Sequence, residues 1–220
     1  MNLALFDLDN TLLACDSDYE WGQFLVDQGV LERAAYESQN AAFYEQYKAG
    51  TLDIHEFLGF ALRPLAVHAP ADLERWHAGF MAARIRPAMG AAAKSLVRRH
   101  LDAGDLCAVV TATNSFVAGP IARAFGVPHL VATEPERSAG RFTGRVAGVP
   151  CFKEGKVARV EQWLAGEGHR LLEFAQSAFY SDSHNDLPLL ERVSHPVAVD
   201  PDAALAAEAA RRGWPVISLR

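Results

Sequence analysis

The sequence predicts an α/β fold: a three-layer, Rossmann-like core with a parallel sheet, plus a helical unit inserted after the first strand. Three observations carry this. Short apolar runs at residues 3–6, 106–110, 130–132, 178–181, 197–199 and 216–217 have strand length and end at polar or turn residues. Helical spacing separates most of these runs, which calls for parallel pairing through crossover connections. The long stretch after the first run, residues 15–85, shows helical periodicity and no strand signal.

Taken in order, Leu3 to Phe6 read as a buried strand ending at Asp7. In the inserted stretch Trp21, Phe24 and Leu25, then Phe43, Tyr44 and Tyr47, then Phe57, Leu58 and Ala61 recur at helical spacing. Gly29 and Gly50 sit where helices would stop. Asp53 followed by Glu56 resembles a capping box. A further helix is expected over 71–83. The boundaries that follow are 1–14 and 86–220 for the core and 15–85 for the helical unit. Pro87 suits the first turn of a helix running to Gly104. The second strand then ends at Thr111, and a helix over 115–125 closes at Gly126. After the third strand the glycine-spaced stretch 141–149 reads as a small hairpin. A helix over 156–164 stops at Gly166, the fourth strand ends at Asp182, and an Ala-rich helix separates the last two strands.

The chain has 220 residues, half of them hydrophobic, enough for one sizeable core and a smaller appended unit. Its formal net charge is -6, and no Lys/Arg run stands out, so a nucleic-acid partner is not expected. The apolar runs are too short to cross a bilayer. The opening residues lack the charge and apolar run of a secretory signal. Cys15, Cys107 and Cys151 are odd in number and scattered, which suits three reduced thiols in a cytoplasmic protein.

In a parallel α/β sheet, ligands sit beyond the carboxyl ends of the strands. Asp7, Thr111 and Asp182 each follow a predicted strand, so one rim collects three polar groups. Around them stand two acidic clusters, Asp7-Leu8-Asp9-Asn10-Thr11 and Asp182-Ser183-His184-Asn185-Asp186. Neighbouring carboxylates repel, so a cation or a retained proton is expected there. Their hard oxygens are the kind Mg²⁺ prefers, with water and phosphate completing its shell. Phosphoryl transfer needs a nucleophile, positive charge, hydrogen-bond donors and a proton shuttle. A carboxylate can accept a phosphoryl group, Thr111 offers a hydroxyl, and Lys153 or Lys156, at the start of a predicted helix, offers the cation.

The order Asp-x-Asp-x-Thr, Thr, Lys, Asp-x-x-x-Asp resembles the haloacid dehalogenase superfamily of phosphatases. The helical insertion, Val110-Thr111-Ala112-Thr113 and Ile121 to Gly126 are similar to its phosphoserine-phosphatase-like branch. The resemblance implies Asp7 as nucleophile and Mg²⁺ ligand. It implies that Asp9 binds metal through its backbone carbonyl while its side chain moves the proton. Thr111 would hold the phosphoryl group, with Ala112 beside it as a substrate contact. Asp182 would be the second metal carboxylate, and Asp186 would support the metal shell. Lys156 has the better spacing for the lysine, with Lys153 as the alternative. The helical unit would be a cap, with Asp16 and Arg63 as candidate substrate contacts. Haloalkanoate dehalogenation is disfavoured, because such enzymes lack the second aspartate that this chain has in Asp9.

The expected activity is therefore Mg²⁺-dependent hydrolysis of a small phosphorylated metabolite through an aspartyl-phosphate. A phosphomutase on the same scaffold and a phospho-accepting signalling module are the rivals. The aromatics of the helical unit, Trp21, Phe24, Tyr44, Tyr47, Phe57 and Phe60, are read as its core. His184 is read as a loop residue and not a metal ligand.

Overall fold

A computed structural model describes residues 1–220. β1 (Leu3–Phe6) is buried along its whole length, as befits a strand covered by helices on both faces. Before the next strand come α1 (Ser17–Asp27), α2 (Arg33–Lys48), α3 (Ile54–Ala61), α4 (Arg63–Val67), α5 (Pro70–Phe80), α6 (Arg86–Ala88) and α7 (Ala91–Asp102). The first three start on carboxylate caps: Asp16, Glu32 and Asp53 each accept two backbone N–H groups of the first turn, satisfying donors that have no partner inside the helix. The chain then alternates through β2 (Leu106–Asn114), α8 (Ser115–Phe125), β3 (His129–Thr133), the antiparallel hairpin β4 (Pro135–Ser138) and β5 (Arg141–Val146), and α9 (Glu154–Gly166). It ends with β6 (Ser177–Ser181), α10 (Leu187–Leu190), β7 (His195–Val199), α11 (Ala203–Arg212) and β8 (Val216–Ile217).

Six strands form one parallel sheet in the order β3-β2-β1-β6-β7-β8. The order reverses between β1 and β6, and it is at such a switch point that doubly wound sheets bind ligands. Side chains alternate across the sheet, and β1 shows it: Ala4 and Phe6 join one apolar cluster, Leu3 and Leu5 the other. The first cluster, of 30 buried residues, also takes in Trp21, Phe24, Leu58, Leu62, Leu73 and Phe80. The inserted helices thus pack on the sheet without a separate apolar core.

Several expected boundaries move. β2 runs three residues past Thr111 to Asn114, with a shift of register against β3 between Thr111 and Asn114. The helix expected from Pro87 to Gly104 breaks at Met89 and Gly90, which are both extended away from helical geometry. Helical winding instead continues without a gap from α5 through residues 81–85 into α6. The hairpin spans both sides of Ala139-Gly140, whose positive φ values of 47° and 79° suit a tight two-residue turn. α9 runs through Gly166, and the left-handed stop comes at Gly168.

Candidate active site

The site grows out of the turn after β1. Asp7 leaves the strand with extended backbone, and the chain then kinks: Asp9 is extended and Asn10 takes φ 56°. Asparagine tolerates that left-handed geometry better than most residues. The kink brings Thr11 back toward the strand ends. Its Oγ1 lies 3.2 Å from Asp7 Oδ2 and 3.0 Å from Asp182 Oδ1, and it accepts a bond from the Asp182 N–H at 3.0 Å. Asp7 and Asp182 follow β1 and β6, the strands flanking the switch point.

Lys156, in the first turn of α9, enters from one side. Its Nζ donates to Asp7 Oδ1 and to Asp186 Oδ2, each at 2.7 Å, and all three side chains are buried. Ser181 Oγ donates to the same Asp186 oxygen at 2.7 Å. Opposite stands Asp9, whose Oδ2 accepts from Thr113 Oγ1 at 2.7 Å and Thr111 Oγ1 at 3.2 Å, and whose Oδ1 accepts from the Ser17 N–H at 2.6 Å.

Charge is concentrated here. Burial pushes Asp9 up to about 6, with the nearby Asp16 charge adding to it. Burial and Asp7 hold Asp182 well above the usual carboxylate range. Asp186 is pushed up to about 6 by burial against the pull of Lys156. Lys156 answers the two buried acids, Asp7 and Asp186, and makes no bond to the half-buried Asp182. The Asn185 side-chain carbonyl, in the same turn, is 4 % exposed and has no partner, and such an orphan calls for an ion or water. No three His, Cys, Asp or Glu side chains make a full cage. Mg²⁺ does not ask for one, since it typically takes one or two carboxylates and keeps waters and phosphate oxygens. The donor set fits Mg²⁺.

Asp7, Asp9, Thr111, Lys156, Asp182 and Asp186 are therefore brought together. Ala112 lies half-buried between Thr111 and Thr113. Of the two lysines Lys156 meets Asp7, whereas Lys153 Nζ donates to the Gly50 carbonyl at 2.9 Å. Asp186 is turned to Lys156 and Ser181, so its support of the site runs through the lysine. Asp16 caps α1, its Oδ1 taken by the N–H groups of Asp18 and Tyr19. Arg63 is exposed at the start of α4 and makes no ion pair or hydrogen bond with the rim. Its proximity to Pro64 marks a helix start. Tyr44 is 55 % exposed and outside any core. His184 is held on Asp202, its Nδ1 2.8 Å from the carboxylate.

Four contributors escaped the sequence reading: the role of Thr11, Thr113, Asn185, and Asn114, which caps α8 and lies 3.4 Å from Asp18. For Thr113 a signal existed. Residues i and i+2 of a strand share a face, so a strand continued past Thr111 would have paired the two hydroxyls. A cavity of about 440 Å³ lies around His100, Tyr180, Ser194 and Trp214, with neither Asp7 nor Asp182 in its lining.

A parallel doubly wound sheet with a buried Asp-Lys-Asp bridge and two further aspartates, Asp9 and Asp182, at its switch point defines a phosphoryl-handling hydrolase. Residues 4–191 match the model of the haloacid dehalogenase-like hydrolases, and the chain belongs to that family. It is 46 % identical to a histidinol-phosphatase of Neisseria meningitidis, over 100 % of this chain and 99 % of that protein. It is 30 % identical to a phosphoserine phosphatase of Mycobacterium tuberculosis, over 99 % of this chain and 70 % of that one. Among solved structures, a Bordetella pertussis protein of unknown function superposes with a TM-score of 0.94 at 54 % identity, covering 99 % and 98 % of the two chains. A substrate-bound phosphoserine phosphatase superposes with a TM-score of 0.70 at 18 % identity over 100 % and 93 %, a likeness of fold. The chain is a phosphatase of this family.

Proposed function

We propose that this phosphatase hydrolyses the phosphomonoester of a small cationic alcohol, with Mg²⁺ and through an aspartyl-phosphate on Asp7. The observation that carries the chemistry is the Lys156 ammonium held between Asp7 and Asp186 at 2.7 Å each. It fixes the aim of the Asp7 carboxylate while Thr11 steadies its other oxygen. Asp7 attacks phosphorus, the bond to the leaving alkoxide breaks, and Asp9 gives the alkoxide its proton. Asp9 then takes a proton from the water that attacks the phosphoryl group, and phosphate leaves with Asp7 restored. A proton shuttle works best with a pKa near the working pH, and Asp9 at about 6 suits that. Thr111 and the backbone at Ala112 would hold phosphoryl oxygens. Asp7, Asp182 and the Asp9 backbone carbonyl would hold Mg²⁺, which supplies positive charge for those oxygens.

The leaving group is read from the acids beside Asp9. Asp18 is pushed up to about 8 by burial and then by Asp16, and its only side-chain donor is Asn114 at 3.4 Å. Such a carboxylate favours a positively charged group opposite it. Arg63, the other candidate substrate contact of the inserted helices, is exposed at the start of α4 and makes no bond to the rim. The Neisseria relative is named for histidinol phosphate, a substrate of the required kind. The helices of 15–85 act as a cap that selects it. Three free thiols suit a reducing compartment such as the cytoplasm.

The test is phosphate release from histidinol phosphate, phosphoserine and simple alkyl phosphates, with Mg²⁺ or with chelator, by wild type and Asp7→Asn. Metal-dependent release that vanishes in Asp7→Asn, with histidinol phosphate ranked first, is expected. Release that survives in Asp7→Asn would sink the nucleophile assignment. Phosphate retained on an organic product would point to a mutase.

A further inference from the structure

Lys153, turned away from the chemistry, and Tyr47, expected in the helical core, meet the rim from opposite sides of one gap. The Tyr47 hydroxyl, near the C-terminal end of α2, lies 2.8 Å from Ser183 Oγ. Ser183 stands between Asp182 and Asp186, and its Oγ accepts the Asn185 N–H at 3.2 Å, capping the turn that carries Asp186. Three residues beyond Tyr47, the Gly50 carbonyl accepts from Lys153 Nζ at 2.9 Å. The Tyr47 ring is 6.4 Å from that of Phe152, beside Lys153. Gly50 approaches the rim so closely that a Cβ there would lie 3.5 Å from His184 Nε2.

Two further features mark these contacts as more than incidental. α2 buries only Phe43, so little else fixes its C-terminal end. Lys153 holds φ 49° and ψ −122°, a region costly for a residue with a Cβ and one that clusters at functional sites. A lysine ammonium also suits the carbonyl-rich end of a helix.

We infer that Tyr47 and Lys153 form a two-point latch that ties the end of α2 to the acidic turn and to the start of α9. They are positioning residues: neither touches Asp7 or Asp9. Closed, the latch holds Ser183, and through it the turn bearing Asp182 and Asp186, against the inserted helices. Opening needs both bonds broken, which frees the end of α2 and admits or releases a ligand. The inference rests on the proposed phosphatase site only for that last consequence.

The test is amide hydrogen exchange in Tyr47→Phe, Lys153→Met, the double variant and Lys153→Arg, with melting temperature measured alongside. Loss of the neutral Tyr47 bond shifts an opening equilibrium about two- to tenfold, and loss of the charged Lys153 bond about ten- to a hundredfold. Each single variant should exchange faster at residues 47–51 by its own factor, and the double variant by about the product. Exchange in β1, β2 and β6 should stay unchanged and the melting temperature within about 2 °C. Lys153→Arg, still able to reach Gly50, should return the segment to wild-type exchange. The KM for the phosphoester should rise while the pH profile of turnover stays in place. Unaltered exchange at 47–51 in either single variant overturns the latch. So does acceleration spread evenly over the chain with a matching fall in melting temperature. Because exchange needs no turnover, a failed latch is distinguishable from a failed phosphatase reading.

Discussion

Lys156 shows how a single side chain sets the electrostatics of the rim. Burial works against its ammonium, yet Asp186 and then Asp7 outweigh that and hold its pKa above the ordinary lysine range. Removing it leaves two buried carboxylates without their cation, which typically costs about 3–5 kcal/mol. Lys156→Met should lose about that much stability at neutral pH in metal-free buffer. The sign with pH follows from the acids. Asp7 and Asp186 already titrate above 3.8 in the folded chain, and without the lysine they rise further. A carboxyl with a raised folded pKa takes up a proton more readily folded than unfolded, so its penalty fades as pH falls through that window. The deficit of Lys156→Met against wild type should therefore shrink between about pH 7 and pH 5, read by urea midpoints. An equal deficit at both would count against the buried-pair account.

The start of α9 delivers that lysine, and it depends on a close backbone approach. A Cβ at Gly155 would sit 2.1 Å from the Pro150 carbonyl oxygen, a backbone atom that cannot swing aside. Gly155→Ala should force the first turn of α9 outward, cost about 1–3 kcal/mol, and cut turnover by displacing Lys156. At the far end of the helix nothing lies within 4 Å of a Cβ on Gly166. There an alanine should be neutral or add up to about 1 kcal/mol, with turnover kept. Equal effects from the two would deny the close approach its role. Elements of this kind were legible in their periodicity and less so at their ends. Thr111-Ala112-Thr113 read as a strand end because polar residues follow an apolar run, yet pairing with β3 carries the strand on to Asn114. Lys153 and Lys156 both stood at a plausible helix start. Only the unusual backbone at Lys153 and the packing of α9 separate their targets.

Across the whole molecule, the inserted helices and the sheet share one apolar cluster, in which Trp21 packs near Phe24, Phe80, His77 and Phe116 of α8. A segment without its own core gains most of its burial energy only when the sheet is present. Calorimetry should therefore show one cooperative transition with matching calorimetric and van't Hoff enthalpies. Two resolved transitions would mean that residues 15–85 unfold as an independent domain. This expectation sits beside the latch without conflict, since the latch concerns the end of α2 and the shared cluster concerns α1, α3 and α5. No helix is long and apolar enough to cross a membrane.

By itself the sequence determined the fold class, the position of Asp7 and Asp182 beyond strand ends, and the acids and lysines from which a phosphoryl site could be built. These are local properties: apolar runs of strand length, helical spacing, and polar residues placed where a strand must stop. Which lysine meets Asp7, that Thr11 reaches a carboxylate 171 positions away along the chain while also bonding Asp7, and that Tyr47 and Lys153 reach across to Ser183 and Gly50 belong to the tertiary structure. Each depends on contacts between segments distant in sequence, set by sheet order and helix packing, and no local pattern encodes a distance of that kind.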